Sequence, residues 1–325
     1  MKKIISLLCA FAILVLSFCG CSTNTDQTDK LRIVTTLFPA YDFARNIAAD
    51  NAEVTLLLPP GVESHSYEPT PKDIVEIQNC DIFIYNGGES ESWIDNILDS
   101  LDCSQFKTVK MIDSAKNLLE EDEAYDTDGD HDDHDDHEHN HDHEHEGDEV
   151  EYDEHIWTSP VICIDICKAI EAAISSADSK NAAEYRQNLD SYNSELESLD
   201  KGFKEAVEGG KRDEIIFGDR FPFKYFADRY GLEYYAAFPG CSSQTEPSAA
   251  TLARLIEKTN EDKIPAVFYI EMSNHAVADT ISQETGARTL MFHSCHNLTR
   301  DEMNAGETYI SLMNKNLENL KIALN

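Results

Sequence analysis

Basic residues are scarce in this chain. Lysine and arginine number 26 against 62 aspartates and glutamates over 325 residues, a net charge of −36. A balance of that sign repels phosphate backbones, so a nucleic-acid partner is not expected. The deficit is concentrated: Glu120 to Glu154 holds twenty Asp and Glu with no Lys or Arg, and the remainder is only moderately acidic. Long apolar runs are also missing. The one apolar run, Ile4–Leu16, is too short to span a bilayer, and no other segment is apolar enough to cross one as a helix. The chain lacks a glycine-rich phosphate cradle and a nucleophile elbow, which removes the usual sequence grounds for nucleotide or serine-hydrolase chemistry.

What the N-terminus does have is an address. Lys2 and Lys3 precede the uncharged run Ile4–Leu16, and Ser17-Phe18-Cys19-Gly20-Cys21 follows. A charged start, a short apolar centre and a small residue before a cysteine describe an export signal, too short for a membrane span. The ending resembles a lipobox, with cleavage after Gly20 and Cys21 as the lipidated residue; Cys19 is disfavoured by bulky Phe18. Residues 1–21 are thus read as a lipoprotein signal peptide and 22–30 as a tether. This places the protein outside the cytoplasm, lipid-anchored to the outer face of the cell membrane. Six cysteines remain beyond the signal. Cys163 and Cys167, four apart on a helical pattern, read as small buried hydrophobes. The pairing of all six, Cys80 and Cys103 included, is left open by the sequence. Cys241 and Cys295, each following a C-terminal strand, are the pair to test for a disulfide, though spacing does not settle it.

Seven of the twelve histidines, His131, His134, His137, His139, His141, His143 and His145, fall in the run HDDHDDHEHNHDHEH. A segment of that composition builds no apolar core and reads as a solvated loop. Imidazoles among carboxylates form a donor set suited to zinc and its first-row neighbours. His137 to His141 formally satisfies the H-E-x-x-H zinc-protease pattern. That pattern works only on a helix with a docking face, and the flanks here are wholly polar.

The rest alternates strand and helix. Strands are expected at 31–38, 54–58, 81–86 and 108–112, with helices starting near Tyr41, Pro71 and Glu91. After the acidic segment they recur at 214–218, 234–238, 266–271 and 288–292, with helices near Pro222, Pro247 and Asn274, and one helix over Met303–Leu324. Between the halves, Asp178 to Val207 has no proline and one glycine. Tyr185, Leu189, Tyr192, Leu196, Leu199 and Phe203 recur there at intervals of three and four, one face of a long helix. The expected fold class is α/β: two four-stranded parallel β/α lobes joined by a long rigid helix, with a metal site in the cleft between them. The lobes span 31–177, including the 120–154 His/Asp/Glu-rich loop, and 211–325; the linking helix spans 178–210.

In open α/β sheets, ligands bind beyond the carboxyl ends of the strands. Metal-binding side chains at those places are His65 in LLLPPGVESHSYEPTP, His155 in YDEHIWTSP, Asp219 in IIFGDRFPF, Glu271 in AVFYIEMSNH and His293 in ARTLMFHSCH. Two donors from each lobe would make a tetrahedral site. His275 belongs to a solvated helix start.

These motifs carry a resemblance. PPGVESHSYEPTPKD, the pattern of Asn86, Gly87, Glu91 and Trp93, the DEHIWTSP segment and the long helix are similar to the zinc/manganese class of ABC-transporter substrate-binding lipoproteins, over Leu31 to Asn325. A His-rich acidic insertion is typical of its zinc-type members. The resemblance implies a receptor that captures Zn²⁺, with Mn²⁺ an open alternative, and delivers it to the ABC permease of the same transport system. It implies no enzymatic activity, and a monomer is expected. In the family the first ligand histidine matches His65 and the second His155. The third precedes a Phe-Gly-Tyr-like stretch, where this chain has Asp219 and Arg220. The fourth, commonly Asp, falls here on His293. The implied set is His65, His155, Asp219 and His293, with Glu271 or His296 as substitutes.

Two alternatives stand beside this reading: a cell-surface zinc hydrolase with Glu271 as base, and an adhesin-type surface protein with a structural metal. In the receptor reading the loop is a weak, fast collector. Its carboxylates raise the proton affinity of the imidazoles, so protons displace metal readily. Loop-bound zinc is expected to be released on acidification to about pH 5; equilibrium dialysis showing it retained there would contradict the collector role.

Overall fold

The computed structural model describes residues 30–121, 151–242 and 246–325. The signal peptide with Cys21 and the seven loop histidines His131–His145 lie outside the described residues. No described helix is long and apolar enough to cross a membrane.

Two parallel four-stranded sheets form the frame. The first contains β1 (Leu31–Thr35), β2 (Ala52–Leu56), β3 (Ile82–Tyr85) and β4 (Lys107–Lys110) in the order β2-β1-β3-β4. The second contains β5 (Glu214–Phe221), β6 (Glu233–Pro239), β7 (Ala266–Tyr269) and β8 (Arg288–Met291) in the order β6-β5-β7-β8. The orders are the same, and in each sheet the chain reverses its direction of winding beside the first strand, which opens a crevice at the strands' carboxyl ends. The strands are rich in β-branched and aromatic residues, and β3, Ile-Phe-Ile-Tyr, is buried along its whole length.

Helices α1 (Phe38–Ala48), α2 (Pro71–Gln78) and α3 (Trp93–Ser100) serve the first sheet, and α4 (Pro160–Ala177) follows the acidic segment. The long helix α5 spans Ala182–Glu208, 27 residues, or about 40 Å at the helical rise. Tyr185, Leu189, Tyr192, Leu196, Leu199 and Phe203 are all buried on it, joined by Ala206. Helices α6 (Lys224–Tyr230), α7 (Ala249–Glu261) and α8 (Ala276–Thr285) serve the second sheet. One apolar cluster runs through both halves, taking Ile33 and Phe43 from the first, Ile166 and Leu196 from α4 and α5, and Phe226 and Phe292 from the second. Each sheet has a smaller cluster on its other face.

The closing helix expected over Met303–Leu324 is two helices, α9 (Arg300–Ala305) and α10 (Tyr309–Ala323). Gly306 takes a left-handed φ of 73°, ending α9, and Thr308 caps α10 through a bond to the Ser311 N–H. The break lets the α10 N-terminus reach Asp42, whose carboxylate accepts from the Tyr309 N–H at 3.1 Å and the Tyr192 hydroxyl at 3.0 Å. Burial pushes the Asp42 carboxyl up to about 6, against the lowering by those two donors.

A second buried acid sits behind β3. Glu91 accepts from the Gly87 N–H at 2.8 Å, while its Oε1 has no hydrogen-bond partner. Burial raises its pKa to about 7, with the neighbouring Glu154 charge adding to the rise. The folded state therefore holds this proton more tightly than the unfolded chain does. Stability falls as pH rises from about 4.5 to about 7, by ~3 kcal/mol at most. Glu91→Gln is expected to match the parent in melting temperature near pH 4 and to exceed it above about pH 7.5. Thermal melts with the same difference at both pH values would refute the assignment.

Candidate metal centre

The loop after β2 is stiffened by Pro59-Pro60-Gly61 and stitched to the other lobe. The Gly61 N–H donates to the Leu298 carbonyl at 2.7 Å, and the Asn297 amide donates to the carbonyls of Pro59 and Val62 at 2.8 and 2.9 Å. A single helical turn at Ser64–Ser66 then projects His65 inward. Ser64 Oγ lies 2.6 Å from His296 Nε2.

His155 arrives from the far side of the acidic segment. Glu120 and Tyr152 form an isolated antiparallel bridge that joins the segment's two ends. Asp153 then accepts from the His155 N–H at 2.8 Å and lies 3.2 Å from His155 Nδ1. A carboxylate on Nδ1 orients the ring and frees Nε2 as a donor to metal. That Nε2 is buried and has no hydrogen-bond partner. The Asn86 and Glu91 motif serves this segment: the Asn86 amide donates to the Glu154 carbonyl at 2.9 Å, and the Ser90 N–H to Glu154 Oε2 at 3.2 Å. Gly88, with φ 120°, leaves room for that carboxylate, since a Cβ there would lie 2.3 Å from Glu154 Oε2. Glu154 Oε1 is buried without a hydrogen-bond partner, 3.6 Å from His65 Nδ1.

His296 completes a triangle of rings. Centroids are 5.8 Å apart for His65–His155, 5.2 Å for His65–His296 and 5.5 Å for His155–His296. Trp157, fully buried, lies against the last two at 5.4 and 4.9 Å, and its Nε1 donates to the Ser294 carbonyl. Two groups of donors share His65. One atom from each of His65, Glu154, His155 and Cys241 can be chosen so that all lie within 4.8 Å of one another; the same holds for Glu63, His65 and His296.

Two of the three rings, His65 and His296, are biased toward their neutral, metal-binding form. Burial and the neighbouring His155 charge lower His65 to about 4, and Arg220 adds to this. Burial, His65, His155 and Arg220 together hold His296 well below the ordinary imidazole range. Burial also lowers His155, but Asp153, Glu154 and Glu121 outweigh it and the net shift is upward.

Asp219 and His293 are not brought to this triangle. Asp219 accepts from the Arg220 N–H at 2.8 Å within β5 and from the Ile270 N–H at 3.3 Å just beyond β7, so each of its oxygens bonds backbone. Arg220 instead bonds Glu63 across the lobes at 3.1 Å. His293 faces α9 and α10. Its Nδ1 accepts from the Cys295 N–H, its Nε2 is 3.5 Å from Glu302, and it lines a 440 Å³ cavity with Lys315 and Asn319. Both Glu271 oxygens accept from Ser294, one from its N–H and one from its hydroxyl, and that hydroxyl accepts from the His296 N–H. His275 is exposed and bonds Asp279 at its helix start. Glu63, Glu154, Arg220 and Cys241 were not among the expected site residues. Glu154 adjoins a predicted ligand, but nothing in the spacing brings Cys241 there. All six described cysteines, Cys241 and Cys295 included, are free thiols.

Residues 33–323 match the family described as zinc-uptake complex component A, periplasmic. The chain is 36% identical over 324 residues to the zinc-binding lipoprotein AdcA of Streptococcus pneumoniae R6, covering 99% of this chain but 61% of that protein. It thus spans about three-fifths of the length of that relative. It is 34% identical to the high-affinity zinc uptake system protein ZnuA of Bacillus subtilis, covering 97% of this chain and 95% of that one. Among solved structures, the Zn(II)-bound ZnuA-like domain of S. pneumoniae AdcA aligns at TM-score 0.70 and 33% identity over 91% of this chain and 99% of that domain. The metal-dependent lipoprotein YcdH of B. subtilis aligns at TM-score 0.72 and 31% identity, over 91% and 100%.

Because Glu271 holds the Ser294 turn, Glu271→Ala would leave a buried N–H and a hydroxyl without acceptors. Denaturant unfolding is expected to show a loss of about 2 kcal/mol or more. A loss under about 0.5 kcal/mol would mean that this contact does not hold the turn.

Proposed function

The chain belongs to the family of periplasmic A components of zinc-uptake complexes, and from that premise we propose that it is the extracytoplasmic zinc receptor of an ABC importer. It captures Zn²⁺ in the cleft and hands it to the permease of the same system, while Cys21 carries the lipid that keeps it on the outer face of the membrane. The observation that carries this reading is the triangle of His65, His155 and His296, two imidazoles from the first lobe's loops and one from the second's, with His155 Nε2 buried and unpartnered. A buried polar atom without a partner is costly, and a metal ion removes that cost.

His296 thus takes the place that strand-end spacing assigned to His293, and Asp219 acts on the backbone. Three imidazoles suit zinc better than manganese, which favours more oxygen. The apolar core runs through both lobes without help from the site, as a carrier that must stay folded when empty requires. The hydrolase alternative loses its base, because Glu271 is committed to Ser294.

The test is metal content and competition titration on the chain from Ser22 onward, intact and with 126–148 removed. One tight zinc should survive the deletion while weaker sites vanish. His65→Ala, His155→Ala and His296→Ala should each weaken the tight site by about a hundredfold or more. Disappearance of the tight site with the loop would place it in the loop and overturn the cleft assignment.

A further inference from the structure

The second lobe brings more than an imidazole to the cleft. Strand β6 ends at Pro239, and the turn that follows lies directly against His155: a Cβ on Gly240 would sit 3.3 Å from that ring's Cε1. The next residue is Cys241. Its N–H donates to Glu121 Oε1 at 3.2 Å, and its side chain joins the group whose donor atoms all lie within 4.8 Å of one another, with His65, Glu154 and His155. Around a tetrahedral zinc ion with nitrogen and sulfur ligands, neighbouring donors stand about 3.3–3.8 Å apart, so small side-chain movements close the shell. Two members of the group are buried and lack hydrogen-bond partners, His155 Nε2 and Glu154 Oε1. Cys241 is in no disulfide.

We propose that Cys241 is a thiolate ligand of the cleft zinc, which makes the site a nitrogen–sulfur centre. The inference rests on the cleft reading above and deepens it. On binding, the Cys241 S–H bond breaks, a zinc–sulfur bond forms and the proton leaves to solvent. His65 and His155, which share the Cys241 donor group, supply two nitrogens, and His296, grouped with His65 and Glu63, supplies the third. Glu154 remains as an adjacent carboxylate, so thiolate and carboxylate together balance the two positive charges. Without metal, burial and then the Glu154, Glu121 and Asp153 carboxylates push the thiol up, so in the empty receptor it stays protonated and a poor nucleophile. Zinc displaces such a proton, whereas Mn²⁺ gains little from sulfur. Cys241 would therefore be the residue that sets the preference for zinc over manganese.

Cobalt(II) is the probe, added at up to one equivalent to the soluble chain from Ser22 onward. The His-rich loop contains no cysteine. A thiolate-to-cobalt charge-transfer band therefore reports on the folded body. The parent complex should show that band, and Cys241→Ser should lose it while still binding cobalt. Zinc affinity should fall at least about tenfold in Cys241→Ser, with manganese affinity changed less than about threefold. A parent complex with no such band, or a band that persists in Cys241→Ser, overturns the thiolate. The cleft reading fails separately, and the thiolate with it, if His65→Ala leaves tight cobalt binding unchanged. The parent spectrum decides even if the variant folds poorly.

Discussion

The two lobes are joined at the centre by backbone as well as by side chains. The Gly61 N–H meets the Leu298 carbonyl, the Asn297 amide spans the carbonyls of Pro59 and Val62, and Ser64 Oγ meets His296. These contacts cross from the loop after β2 to the loop after β8, the two loops that carry His65 and His296. Backbone hydrogen bonds hold position more tightly than long side chains do, because fewer torsions must be frozen. The His65–His296 edge of the triangle is therefore set before any ion arrives. Beneath it, Trp157 ties the His155 side to the same loop through its bond to the Ser294 carbonyl.

That seam makes an otherwise unfavourable arrangement tolerable. Three imidazoles stand within 6 Å of one another and are largely buried, which disfavours charge on His65 and His296, while Asp153 and Glu154 favour it on His155. Burial and mutual repulsion keep His65 and His296 neutral, while Asp153 turns the remaining lone pair of His155 inward. The folding energy of the large shared core holds these groups in place. On the cleft reading, only small side-chain movements separate this arrangement from one closed around an ion, which limits the loss of affinity to conformational cost. It also explains why Arg220 pairs with Glu63: a fixed cation beside neutral rings needs a carboxylate close by.

Much of this was legible in the sequence because it obeys a period. Eight strands and the α5 stripe follow from alternation of two kinds, and Tyr185 through Phe203 are buried as the spacing requires. The C-terminal helix was harder, since its apolar period reads straight through Gly306; only the glycine and the Thr308 cap mark the break. His65 and His155, which the structure brings 5.8 Å apart, could be singled out because each follows a strand and sits in a motif that the family resemblance covers. The choice between His293 and His296 was not legible. Strand-end position favours His293, but Glu271 pulls in Ser294, and Cys295 adopts a φ of 59°; the chain turns there and delivers His296 instead. Glu271 lies more than twenty residues away in sequence, so a local pattern cannot contain that instruction. Cys241 was invisible for the same reason.

The acidic segment meets the centre at its own root. Glu120 pairs with Tyr152, the Glu121 N–H bonds the Glu151 carbonyl, and Glu121 Oε1 accepts from the Cys241 N–H. The last residues on the return side are Asp153 and Glu154, one oriented on His155 and the other presenting a bare oxygen beside His65. Carboxylates thus continue from the segment's two ends to the ring triangle without an intervening basic residue along the chain. The bridge at Glu120–Tyr152 fixes the two ends of the acidic segment next to Glu121, Asp153 and Glu154, the carboxylates that flank Cys241, His155 and His65.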